Sequence, residues 1–118
     1  MSRFPRWVYD LGTEPDPRFS LANERTFLAW SRTSLALIAA GVALKALALP
    51  LEPTLRVVAA TLLLVLGAVL PLLSWWDWGR AERAMRLGTP LPSSHVRLPL
   101  AVGTSLVSVL VLLGLLLR

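Results

Sequence analysis

No cysteine occurs among these 118 residues, histidine occurs once, and only seven side chains are acidic. Without cysteine there is no disulfide framework, no thiolate nucleophile and no thiolate metal site. One imidazole among scattered carboxylates falls short of any metal-ligand spacing, and the chain has no Gly-rich phosphate loop. His95 follows two serines, but neighbours in a loop lack the third group that holds a nucleophile and its base in register. No enzymatic activity, metal or cofactor is therefore expected. Charge is also scarce: 16% of residues are charged against 55% apolar, which leaves a water-soluble globule nowhere to bury its hydrophobic surface.

What the chain does have is three uninterrupted apolar segments, roughly Thr26–Leu49, Val57–Trp76 and Leu98–Leu117. Each is near the ~20 residues a helix needs to cross ~30 Å of hydrocarbon. The fold class predicted is an all-α membrane protein with three transmembrane helices, at about 16–49, 54–87 and 97–117. They form one domain, 16–118, behind an irregular cytoplasmic arm, 1–15, whose prolines, glycine and mixed charges read as loop. No signal peptide is expected, because the residues before the first span are not a short basic stub. Asp16 before Pro17 is a helix start, a carboxylate acceptor followed by a residue suited to the first turn. A helix from there to Pro50 spans ~50 Å, so its first turns lie in or below the cytoplasmic headgroups. The short "PLEP" connection makes the first two helices antiparallel neighbours. Pro71 predicts a kink in the second. Trp75, Trp76 and Trp78 form an aromatic belt, and Gly88 and Pro90 end the extension beyond it. Gly103, Thr104, Ser105 and Ser108 in the third helix suit a close helical neighbour.

The net charge of +5 is unevenly distributed. Arg3, Arg6, Arg18 and Arg25 precede the first span, and Arg80, Arg83, Arg86 and Arg97 follow the second, which puts both groups on one side. The other side has Lys45, Arg56 and Arg118. The positive-inside rule then predicts a cytoplasmic N-terminus and an external C-terminus. The basic excess suits anionic lipid headgroups. Nucleic acid is not expected as a partner, because the tryptophans are accounted for by the membrane interface.

One constellation needs more than topology. In "DPRFSLANERTFLAWSRTSLAL", Arg18, Arg25 and Arg32 recur every seven residues, nearly two helical turns, so they form a stripe on one face with steps of ~10 Å. The outer two can snorkel to headgroup phosphates. Arg32 lies about a turn and a half inside Thr26, where a lipid-facing arginine costs up to ~2.5–3.5 kcal/mol unless a partner or water compensates. Glu24, Asp77 and Glu82 are the candidate ion-pair partners, and Thr26, Ser31, Thr33 and Ser34 add hydroxyls. Ala36, Ala39, Ala40, Gly41 and Ala43 farther along favour close packing. Self-association about an axis would turn the stripe into stacked rings, and rings of basic residues select anions.

The run "LANERTFLAWSRTSLAL" (21–37) resembles the signature of the YidH-like family of small bacterial three-helix membrane proteins, a family of unknown function. "GRAERAMRLGTPLP" (79–92) looks like that family's basic stretch after the second helix. The likeness implies a multi-pass protein of the inner membrane. The "ANERTFLAW" core is also similar to the membrane domain of the eukaryotic vacuolar transporter chaperone complex, a pentameric pore of three-helix units that passes polyphosphate. That similarity implies pore-lining roles for Arg18 and Arg25, aligns Glu24 with the motif's glutamate, and matches Arg80 to a basic residue after the second helix. The eukaryotic relatives lack an arginine where Arg32 stands.

Two functions follow as expectations. One is a homo-oligomer, trimer to pentamer, in which Arg18, Arg25, Arg32 and Arg80 line a vestibule or pore for phosphate-like anions, polyphosphate among them. The alternative is a non-conducting structural or accessory subunit that scaffolds a partner protein.

Overall fold

The computed structural model describes residues 3–47 and 49–118; Ala48 of the first span and the first two residues of the arm lie outside the described residues. Among the described residues four helices follow in order: α1 (Arg6–Tyr9), α2 (Pro17–Ala46), α3 (Pro53–Leu87) and α4 (Arg97–Leu116). Helices α2, α3 and α4 are each long and apolar enough to cross a membrane. The molecule is 58 Å along its longest axis, which exceeds the hydrocarbon thickness and leaves one end of the bundle outside it.

Helices α2 and α3 begin with the same device. Asp16 accepts the backbone N–H of Arg18 at 2.9 Å with Pro17 in the first turn, and Glu52 accepts that of Leu55 at 2.8 Å with Pro53 behind it. Each carboxylate satisfies an amide that has no partner within the helix. α3 runs through Pro71, which has no N–H to give the carbonyl one turn back, and ends at Gly88, whose φ of 69° is the left-handed cap conformation.

The three long helices form an open row. α3 packs against α2 on one side and α4 on the other, while α2 and α4 share no contact among the described residues. Small residues permit the approach of α2 to α3. A Cβ on Gly67 would meet the side chain of Ile38 and the Ser34 carbonyl, and one on Gly41 would lie 3.1 Å from the carbonyl oxygen of Ala60. Gly103 of α4 lies under Leu66 of α3 in the same manner. Leu37, Leu44, Ala59, Leu63, Leu66 and Leu70 fill the core, and the Glu52 amide donates to the Gly114 carbonyl at 2.9 Å, tying the far end of α4 to the α2–α3 turn.

The arm, predicted to be irregular, carries the single turn α1 and is docked on α3. Val8 is fully buried, and Trp7 covers Gly79 so closely that any Cβ there would strike the indole. Arg86 holds the rest. Its guanidinium donates to the carbonyls of Leu11 (2.7 Å) and Tyr9 (2.9 Å) and to Glu14 (3.1 Å), and its own carbonyl accepts the Thr13 amide at 3.1 Å. Gly12, with φ of 60°, lets the chain pass against that carbonyl.

Candidate functional site

The buried face of α2 runs through Ser34, Leu37, Gly41 and Leu44, and the arginine stripe lies away from it. Arg18, Arg25 and Arg32 are all exposed. Arg18 turns back to its own cap and pairs with Asp16 at 2.8 Å. That hydrogen-bonded guanidinium, helped by the Arg18 amide, holds the Asp16 carboxyl below its ordinary value. Arg25 and Arg32 share a shallow depression with Leu28, Ser31 and Leu35, and among the described residues neither has an ion pair or a side-chain hydrogen bond.

The helix register gives their depth. Asn23 donates to the Trp78 carbonyl at 3.0 Å, and Gly67 abuts Ser34, so Arg25 is level with Trp76 of the aromatic belt and Arg32 with Val69. At ~1.5 Å per residue, Arg32 lies ~10 Å farther into the apolar layer than Arg25. The hydroxyls expected to serve Arg32 are turned inward along α2 instead. Ser31 donates to the Phe27 carbonyl at 3.1 Å, Ser34 to that of Trp30 at 3.0 Å, and Thr26 and Thr33 likewise bond one turn back. This is the ordinary behaviour of hydroxyls in an apolar helix, where the nearest free lone pair is on the preceding turn.

Among the described residues none of the three candidate carboxylates reaches the stripe. Asp77 Oδ1 lies 2.7 Å from His95 Nδ1, and its Oδ2 accepts the His95 amide at 2.6 Å and the Ser94 hydroxyl at 3.2 Å. This carboxylate therefore fixes the start of α4. Arg80 sits on the same cluster, its Nη1 3.1 Å from His95 Nδ1, and is not brought together with the α2 arginines. Glu82 is only 3% exposed and accepts the Ser20 hydroxyl at 3.2 Å. Glu24 is exposed and lines a cavity shared with Glu82.

Sequence reasoning missed two features here. The histidine dismissed as a loop residue is the partner of Asp77, across a connection of eighteen positions that no local spacing reveals. Arg86, counted as topological charge, is the buried latch of the arm, 8% exposed. A signal for the latch lay in the arm's own composition, since Trp7, Val8 and Tyr9 give a supposed loop an apolar face to bury.

Residues 18–84, the α2–α3 pair with its arginine stripe, match the family model described as "Domain of unknown function (DUF202)". The inner membrane protein YidH of Escherichia coli (strain K12) is 45% identical over 103 residues, covering 86% of this chain and 90% of YidH, and YidH of Shigella flexneri matches equally. The uncharacterized protein Rv2272 of Mycobacterium tuberculosis (strain ATCC 25618 / H37Rv) is 47% identical over 100 residues, 84% of this chain and 82% of the relative. No solved structure matches significantly. Three long apolar helices and near full-length likeness to YidH identify a multi-pass protein of the inner membrane, and the chain belongs to the DUF202, YidH-like family.

Proposed function

We propose that the protein works as a homo-oligomer in which the outer face of α2 turns toward a shared, hydrated axis, so that Arg25 and Arg32 line a vestibule or pore for phosphate-like anions. Arg18 stands at its cytoplasmic mouth, and Arg80 marks the same end of the bundle from α3. The observation that carries this reading is Arg32. Exposed on the outward face of α2 and without an ion pair among the described residues, it lies ~10 Å deeper than the tryptophan belt. A lone protomer would present that guanidinium to hydrocarbon at a cost approaching ~2.5–3.5 kcal/mol. Rings from several copies around water remove the cost and leave donors free for an anion. The short side chains of Ala36 and Ala39, both exposed farther along α2, suit close approach of another copy. Two basic levels ~10 Å apart suit an extended polyanion such as polyphosphate, held at several weak points. The similarity of the "ANERTFLAW" core to the vacuolar transporter chaperone membrane domain supports the same reading.

A density map of the nanodisc-embedded particle, combined with flux of phosphate, polyphosphate and halide from proteoliposomes, tests it. The expected result is three to five copies with Arg25 and Arg32 directed at the axis, and anion flux that Arg32→Leu lowers without changing insertion. A single protomer, or an assembly with a dry axis that passes none of these anions and in which Arg32→Leu changes only oligomer stability, overturns it in favour of an accessory subunit.

A further inference from the structure

A cavity of ≈ 440 Å³ opens between α2, the docked arm and the belt end of α3. Phe27, Trp75, Trp78 and Tyr9 supply aromatic wall, and Glu14, Glu24 and Glu82 supply carboxylates. Arg3 is the one cation of the lining, and it is already used: it pairs with Glu14, and its guanidinium stacks 4.3 Å from the Tyr9 ring centroid. Among the described residues neither Glu24 nor Glu82 pairs with a cation. Glu82 is the telling one, because a carboxylate 3% exposed with a single neutral hydroxyl on it is a buried charge without a counter-charge. A chain of net charge +5 thus keeps a negative, aromatic-walled cavity at the level of its tryptophan belt.

We infer that this cavity binds an organic ammonium ion, a primary or methylated amine on a short apolar body, with Glu82 and Glu24 as its counter-charges and the Trp75 and Trp78 rings against its alkyl part. A metal ion fits less well, since no three acidic or imidazole groups among the described residues converge to hold one. An ammonium ion needs no such convergence, and its alkyl part and charge both gain from the aromatic faces. The volume lies in the range of small-ligand sites. Arg3 over Tyr9 shows the same wall already holding a cation. The ammonium can arrive as the headgroup of phosphatidylethanolamine or as a free amine, and the chemistry of capture is the same.

The test is tryptophan emission of the purified full chain in nanodiscs of phosphatidylglycerol alone, titrated with putrescine and with tetramethylammonium against sodium chloride of equal ionic strength, and then in discs containing phosphatidylethanolamine. The expected result is a saturable change that Glu82→Gln or Glu24→Gln weakens about tenfold or more and Asp10→Asn, an equal charge change outside the cavity, leaves alone. If the lipid is the source, phosphatidylethanolamine shifts the wild-type emission and weakens putrescine binding. If a free amine is the source, the putrescine titration is the same in both discs. Responses no greater than those to salt, or equal in the Glu24→Gln, Glu82→Gln double variant, overturn the inference. So does a particle density in which a neighbouring copy's side chain fills the cavity.

Discussion

Replacing Arg86 by alanine should release the N-terminal arm while leaving the long helices in place. The side chain makes two charge-assisted hydrogen bonds to carbonyls, at 2.7 Å to Leu11 and 2.9 Å to Tyr9, and one to Glu14. The carbonyl bonds are worth ~1.5–3 kcal/mol each in context. The Glu14 side chain is 66% exposed, so solvent screens that pair to under ~1 kcal/mol. Rehydration of the two carbonyls in the released arm offsets part of the loss, which leaves a net ~2–4 kcal/mol, or roughly a 30- to 700-fold rise in opening. Hydrogen exchange at the Thr13 amide reads this directly. Its acceptor is the backbone carbonyl of Arg86, which the substitution keeps, so lost protection reports release of the arm and not a deleted partner. Arg86→Lys should recover little, because an ammonium cannot span three acceptors as a planar fork does. Thr13 protection within about threefold of wild type in Arg86→Ala, with α2 and α3 unchanged, would refute the latch.

Two further outcomes follow from the helices. Gly67→Val forces a branched side chain between Ile38 and the Ser34 carbonyl, which lies 3.1 Å from the position of a Cβ, and should destabilise the α2–α3 pair by ~1–3 kcal/mol, read as a lower midpoint in detergent unfolding; an unchanged midpoint contradicts the close crossing. Because the Arg18 hydrogen bonds hold the Asp16 carboxyl below its ordinary 3.8, the cap is fully in place above that pH and is lost as pH falls through the lowered value. The Arg18 amide shift should therefore titrate with a midpoint below 3.8, and no such titration should occur in Asp16→Asn; a midpoint at or above 3.8 counts against the cap.

The spans were legible because hydropathy over twenty residues is a property of composition, and Asp16–Pro17 and Gly88 mark helix ends through local chemistry alone. The arm was not legible. Its prolines, glycine and alternating charges satisfy every rule for a loop, and what orders it is a set of contacts more than seventy positions away in the chain, at Arg86 and Gly79. The stripe of Arg18, Arg25 and Arg32 was visible as periodicity, whereas the carboxylates opposite it were not assignable. Asp77 could choose among several cations by sequence, and the fold gives it the imidazole at the start of α4. Glu82 looked like half of an ion pair, and its burial without a cation among the described residues emerges only when the arm closes over it.

A row of three helices differs from a triangle in having two flanks. One flank, α2, carries guanidinium groups among leucines and alanines, and the other, α4, is valine and leucine along most of its length. Lateral joining through unlike flanks would seat arginine on a largely aliphatic surface, and joining through α4 alone would strand the arginines at the perimeter of the cluster. In the homo-oligomer proposed above, the chemistry of these margins would favour one sense of closure, inward by α2 and outward by α4.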